Sequence, residues 1–177
     1  MQPASMQAVV IERFGGPEAL VMRAMPVPQP GPGEARVRLE VAGVNYIDVY
    51  MRNGSYARSD TYRTPLPMVP GMEGAGIVDA VGAGVDGVSP GMRVAWCISR
   101  GSYAPYAVVP AWKLVPVPDT LSLDVACALM LQGSTAHYLT RSAYPLRASD
   151  TCLVHAGAGG GGRLLIRVSK ACRATVI

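Results

Sequence analysis

The stretch Thr151-Cys152-Leu153-Val154-His155-Ala156-Gly157-Ala158-Gly159-Gly160-Gly161-Gly162 decides the fold. Residues 157–162 match G-x-G-x-x-G. By itself any glycine-rich turn can match that pattern, so its flanks matter. A short apolar run at 151–155 predicts a buried strand before the turn. Residues 163–173 predict an amphipathic helix after it, and 174–177 begin a second strand. Strand, glycine turn and helix in that order predict a dinucleotide-binding turn. The first glycine, Gly157, permits the tight turn. The second, Gly159, admits the pyrophosphate to the backbone, and the third, Gly162, lets helix and strand pack closely. Free N–H groups at the helix start then face the phosphates. The residue that reads the ribose or its 2′-phosphate is expected about 20 residues past the glycines, and Ile177 falls short of it. The 27 residues from 151 to 177 are also fewer than the roughly 30 of one βαβ unit. This predicts an incomplete nucleotide domain: a fragment, an incomplete gene model or a truncated isoform.

Working back from the turn, the pattern changes at Pro118-Asp119. Ser122 suits a helix N-cap, and Asp124 lies in the first turn, where the helix dipole favours a negative charge. Residues 125–132 read as helix, Gly133 as an interruption, and 135–141 as its continuation. Residues 1–5 read as a loose tail. Between 6 and 117 the chain reads as short strands at 7–12, 20–25, 35–44, 74–81, 92–97, 103–109 and 113–117, joined by Gly and Pro. In the clearest of these, Arg36, Arg38 and Glu40 alternate with Val37, Leu39 and Val41, predicting one charged and one apolar face. Residues 45–52 predict a short helix ended by Asn53-Gly54, and 55–68 a loop. The fold class is α/β with a mainly β, barrel-like N-terminal part.

Half the residues are hydrophobic and 16% are charged, which excludes a disordered chain. The net charge of +4 comes from scattered Lys and Arg without basic-aromatic runs, so no nucleic-acid surface is expected. Cys97, Cys127, Cys152 and Cys172 form no CxxC pair, which excludes a disulfide framework and a zinc knuckle. Reduced thiols, no secretory leader and no apolar run of membrane length predict a cytoplasmic protein without membrane association.

Four ordered motifs carry a resemblance over nearly the whole chain. They are Gly43-Val44-Asn45-Tyr46-Ile47-Asp48-Val49-Tyr50, Pro70-Gly71-Met72-Glu73-Gly74-Ala75-Gly76, Met130-Leu131-Gln132-Gly133-Ser134-Thr135-Ala136-His137-Tyr138, and Leu153 to Gly162. Together they resemble the zinc-free, zeta-crystallin-like quinone oxidoreductases of the medium-chain dehydrogenase/reductase superfamily. The resemblance implies a GroES-like substrate-side domain at 6–125, followed by a linker helix and an incomplete Rossmann domain at 126–177. It implies NADPH as cofactor and hydride transfer to a quinone or another conjugated carbonyl compound. No metal is implied: Asn45 and Met72 stand where zinc-dependent relatives carry Cys and His. The family is commonly dimeric, so the resemblance allows a homodimer for a full-length chain, and the sequence leaves the oligomeric state open.

The resemblance also implies roles. Asn45 would lie near the nicotinamide and the reacting carbonyl, although an Asn there also suits a helix cap. Tyr50 would line the substrate pocket or pack as an ordinary aromatic. Gln132, Thr135 and Tyr138 would lie beside the cofactor, with Gly157, Gly159, Gly160, Gly161 and Gly162 beneath its phosphates. For Tyr138 a core position on an apolar helix is the competing reading. His137 and His155 have no partner motif and read as structural. Gly157 and Gly161 depart from the Ala and Val usual in the family, and Arg163 stands where an apolar residue is common. Two functions remain open: an NADPH-dependent quinone or enone reductase, or a truncated non-catalytic relative that binds or modulates a partner.

Overall fold

The computed structural model describes residues 5–177. Most of the expected tail, residues 1–4, lies outside the described residues, and Ser5 already belongs to a strand. The chain divides into two compact units, Met1–Cys127 and Ala128–Ile177.

In the first unit, β1 (Ser5–Ile11) and β2 (Leu20–Pro26) form an antiparallel hairpin around a 3₁₀ turn at Pro17–Ala19. Proline removes backbone donors from the connection that follows, and 27–30 carry no regular structure. Next come β3 (Glu34–Ala42), helix α1 (Tyr46–Arg52), β4 (Glu73–Val81), β5 (Arg93–Cys97), β6 (Tyr106–Pro110) and β7 (Val115–Pro116). These strands make one antiparallel sheet in the order β6-β3-β4-β5-β7. The hairpin is tied to the rest by Ile11 and Met68, which exchange both backbone hydrogen bonds at 2.9 and 3.0 Å.

Val37, Val78, Val94, Trp96 and Val109 fill the core of the sheet unit, each at most 1% exposed. Burying such side chains is worth about 1.5–3 kcal/mol each. The indole N–H of Trp96 still finds a partner, the Ser99 carbonyl at 3.2 Å.

The alternation expected in β3 fails at Arg36, which is 1% exposed. A bulge follows it, and the Pro-rich segment supplies partners on the polar side. Arg36 Nε donates to Asp79 Oδ2 (2.7 Å), and Nη1 to Pro28 O (3.0 Å) and Gln29 Oε1 (3.1 Å). The guanidinium also lies 5.7 Å from the centre of the Tyr106 ring. Arg38 and Glu40 keep the expected exposure and pair at 3.4 Å.

Helix α2 (Leu123–Tyr138) runs through Gly133 without interruption, correcting the expected break. A lone glycine costs a helix only about 1 kcal/mol, and apolar neighbours on both sides sustain it. A π-helical turn at Leu139–Ala143 follows. The second unit closes with β8 (Thr151–Cys152), α3 (Gly160–Ala171) and β9 (Thr175–Val176). β8 and β9 pair in parallel across the α3 crossover. Beyond the two-residue strands, Val154 N–H donates to Ile177 O (2.9 Å) and Ile177 N–H to Cys152 O (3.0 Å). Helix α3 starts inside the glycine run, three residues earlier than expected. Among the described residues no helix is long and apolar enough to cross a membrane.

Asp79→Ala strips Arg36 of its counter-charge while its burial remains. We expect a loss of about 3 kcal/mol in urea unfolding. The double replacement Arg36→Met with Asp79→Leu should recover most of it.

Candidate functional site

The sheet unit holds Asn45 at the start of α1. Its backbone is extended (φ −130°, ψ 155°), as an N-cap requires. Its backbone N–H donates to Asp48 Oδ2 at 3.0 Å, the reciprocal arm of a capping-box arrangement. Its side-chain Nδ2 donates to Glu73 Oε2 at 2.7 Å. Asn45 is 8% exposed and Glu73 2%. Thus the helix-cap reading of Asn45 holds, and a buried carboxylate orients its amide in addition. Gly43 makes room for that carboxylate, since a Cβ there would collide with Glu73 Oε2.

Asp48 is also buried, and Tyr103 Oη donates to its Oδ2 at 3.0 Å. Its other oxygen, Oδ1, is buried without a hydrogen bond. Burial raises the Asp48 carboxyl above its ordinary value, outweighing the hydrogen bonds from Asn45 and Tyr103. Burial, with the Asp48 charge beside it, likewise raises the Tyr103 phenol. Burial and the nearby Glu73 push the Cys127 thiol up to about 12, which leaves it protonated and inert at neutral pH. Asn45, Asp48 and Tyr103, with Val44 and Leu20, line a largely apolar recess of about 260 Å³.

Tyr50 lies near the other end of α1, 39% exposed. It contacts Tyr46 edge-on (5.1 Å between ring centres) and Tyr56 (5.5 Å), and Tyr56 contacts Tyr62 (5.2 Å). Tyr50 is therefore one member of an aromatic row that joins α1 to the 55–62 loop.

In the second unit, Gly159 is the N-cap of α3 and no side chain caps the helix. The left-handed residue of the turn is Ala156 (φ +55°), not Gly157, which corrects the reading of the first glycine. Gly157 instead gives room to Ile166, whose Cδ1 would lie 3.1 Å from a Cβ. Gly162 is closed to side chains: a Cβ would strike the Ala156 carbonyl and come within 2.8 Å of Gly157 Cα. At Gly160 a Cβ would meet the Gln132 side-chain amide, which would have to swing aside. Gly161 has open space around it, and Gly159 meets only the Ala156 carbonyl at 3.3 Å. The structure thus brings Gln132 and the glycine turn together. The Thr135 hydroxyl donates back to Leu131 O at 2.8 Å. Tyr138 is 59% exposed rather than a core aromatic. Bare backbone donors at an uncapped helix start suit a pyrophosphate.

Sequence reasoning missed Glu73, Asp48 and Tyr103 as the surroundings of Asn45. A signal existed for Asp48: an acidic residue three positions after an Asn marks a capping box. Glu73 and Tyr103 are 28 and 58 positions away and become neighbours only through the sheet.

An antiparallel β unit followed by a parallel βαβ crossover with a glycine turn defines a class of two-domain oxidoreductase fold. The alcohol dehydrogenase GroES-like domain family matches residues 31–119, just over half the chain. The chain belongs to that family, in the quinone oxidoreductase branch of the medium-chain dehydrogenases/reductases. The first unit is the GroES-like domain and the second begins a Rossmann fold. A quinone oxidoreductase of Pseudomonas aeruginosa is 42% identical over 162 residues, covering 89% of this chain and 47% of its own length. A 2-haloacrylate reductase of a Burkholderia species is 38% identical over 178 residues, covering 96% and 51%. A mycobacterial protein solved in complex with NADPH superposes with a TM-score of 0.91 at 42% identity, covering 97% of this chain and 52% of that one. The chain spans about half the length of the curated relatives it matches.

Two glycines of the turn separate packing from flexibility. Gly162→Ala should lose about 2 kcal/mol because its methyl meets backbone. Gly161→Ala should gain about 0.5 kcal/mol through helix propensity. Thermal unfolding of both variants checks this. Asp48 gives a pH signature. Its folded-state pKa is raised, so the folded chain takes the proton first as pH falls. Its contribution to stability therefore grows from neutral pH down towards the ordinary carboxylate value of about 4. Urea unfolding at pH 7 and pH 5 should show wild type gaining on Asp48→Asn at the lower pH.

Proposed function

We propose that the chain is the front part of an NADPH-dependent, zinc-independent reductase of quinones or other conjugated carbonyl compounds. The observation that carries this is the glycine turn. It excludes a side chain at Gly162, packs the Gln132 amide against Gly160, and leaves the α3 N-terminus uncapped in the crossover between two parallel strands. Its family relatives include a quinone oxidoreductase, a 2-haloacrylate reductase and a protein solved in complex with NADPH.

Residues 6–125 form the substrate side, and 126–177 the linker helix and the start of the nucleotide side. Bound NADPH supplies the hydride. The backbone of Gly157, Gly159, Gly160, Gly161 and Gly162 holds the pyrophosphate. Gln132 keeps the turn in place, and Thr135 and Tyr138 flank the cofactor. Asn45, oriented by Glu73, hydrogen-bonds the substrate oxygen as charge develops there. Tyr50 presents an aromatic edge to a planar acceptor. The chemistry asks the protein for placement and exclusion of water more than for a strong acid or base. The setting is cytoplasmic, the substrate a small molecule, and the full-length form a homodimer.

The test is titration of the 177-residue chain with NADPH, read by cofactor fluorescence, followed by addition of a quinone. Saturable binding that is weakened at least several-fold in Gly160→Leu is expected. A folded chain that does not bind NADPH would favour a non-catalytic relative that acts by binding a partner.

A further inference from the structure

Arg63, Arg100 and Lys113 line one polar recess of about 240 Å³ in the sheet unit, with Thr61, Tyr62 and Ser99. No carboxylate lines it. The salt bridges among the described residues use Arg23, Arg36, Arg38 and Arg93, so none of these three cations is in one. Like charges gathered in one recess repel each other, and the field they make is focused by the surrounding protein. Such a grouping is costly without a counter-charge.

The cations are held in place. Arg100 Nη1 donates to the Arg63 carbonyl at 2.9 Å, and Lys113 Nζ to the Ile98 carbonyl at 2.5 Å. The Lys113 ammonium also lies 5.2 Å from the centre of the Trp112 ring. Ile98 adopts φ +56°, a left-handed conformation that β-branched residues rarely accept. Its N–H is fixed to the Met72 carbonyl at 2.7 Å. The carbonyl that receives Lys113 is thus set by a strained but anchored turn. A guanidinium has five N–H donors and an ammonium three, so each head keeps donors beyond these bonds. Arg100 and Lys113 are half-buried, whereas Arg63 is exposed.

We propose that this recess binds a small tetrahedral dianion, either phosphate or the phosphate end of a phosphomonoester. Arg100 and Lys113 form its floor, Arg63 closes its rim, and the hydroxyls of Thr61 and Ser99 complete the donor set. Two negative charges offset the three cations better than one carboxylate does, and donors from several segments suit a tetrahedral group better than a planar one. The site is separate from the nicotinamide reading. Its lining residues all belong to the sheet unit, and none is assigned to cofactor or substrate.

The experiment is a titration of the ¹⁵N-labelled 177-residue chain with inorganic phosphate at constant ionic strength, kept with sodium chloride. Saturable shifts of the Tyr62, Arg63, Ile98, Ser99 and Arg100 amides are expected. The double variant Arg100→Gln with Lys113→Gln should weaken binding by about tenfold or more. Arg63→Gln, at an exposed position that leaves folding intact, should weaken it by about twofold to fivefold. A parallel titration with glycerol 3-phosphate separates the sources. Tighter binding than inorganic phosphate supports an organic phosphate ligand, and equal binding supports the phosphate group alone. Shifts that do not saturate, that sodium chloride reproduces, or that persist unchanged in Arg63→Gln overturn the proposal. Because no nicotinamide is present, these outcomes are independent of NADPH binding.

Discussion

The carboxylate of Glu73 sits at the head of β4 with 2% exposure, and its neighbours are arranged around it. Asn45 donates to it, Gly43 gives it space, and the Cys127 thiol is kept protonated partly by its charge. A buried carboxylate without donors costs several kcal/mol, so the start of α1 has little freedom to be elsewhere. Asp48 repeats the theme one turn along, with Asn45 and Tyr103 as donors. Two buried acids thus pin a seven-residue helix that is too short to hold its shape by propensity.

Local periodicity made the strands legible. Residues 74–81 alternate or run apolar between turn residues, and β4 follows them closely. Arg36 was misread because the alternation of β3 marks which face a residue is on, not whether that face is covered. A proline-rich segment with no regular structure supplied the cover, and no periodic signal announces that. Gly133 was misread for the opposite reason. A glycine lowers helix propensity locally, but sixteen residues of continuous hydrogen bonding outweigh one poor member.

At the candidate site, the motif positions of Asn45 and the glycines were legible, but the division of labour was not. Six consecutive residues match one fingerprint, yet only Gly162 is closed to a side chain by backbone atoms at under 3 Å, while at Gly160 the obstacle is the end of the Gln132 side chain. The left-handed residue fell on Ala156, outside the fingerprint. Spacing rules register where glycine is tolerated. Collision with a backbone carbonyl decides where it is required, and that depends on how α3 packs on the turn.

The strand order has a consequence for the nascent chain. β3 lies between β4 and β6, and its Ala35 pairs with both Val81 and Val109. The β6 edge beside β3 cannot close until Pro110 has been made, some seventy residues after the end of β3. The β8–α3–β9 crossover joins partners such as Thr151 and Thr175 that are only 24 positions apart. High contact order slows the first and low contact order speeds the second. During synthesis the long-range sheet is therefore the slow step, and β3, paired on one side with β4, keeps its other edge open until β6 arrives.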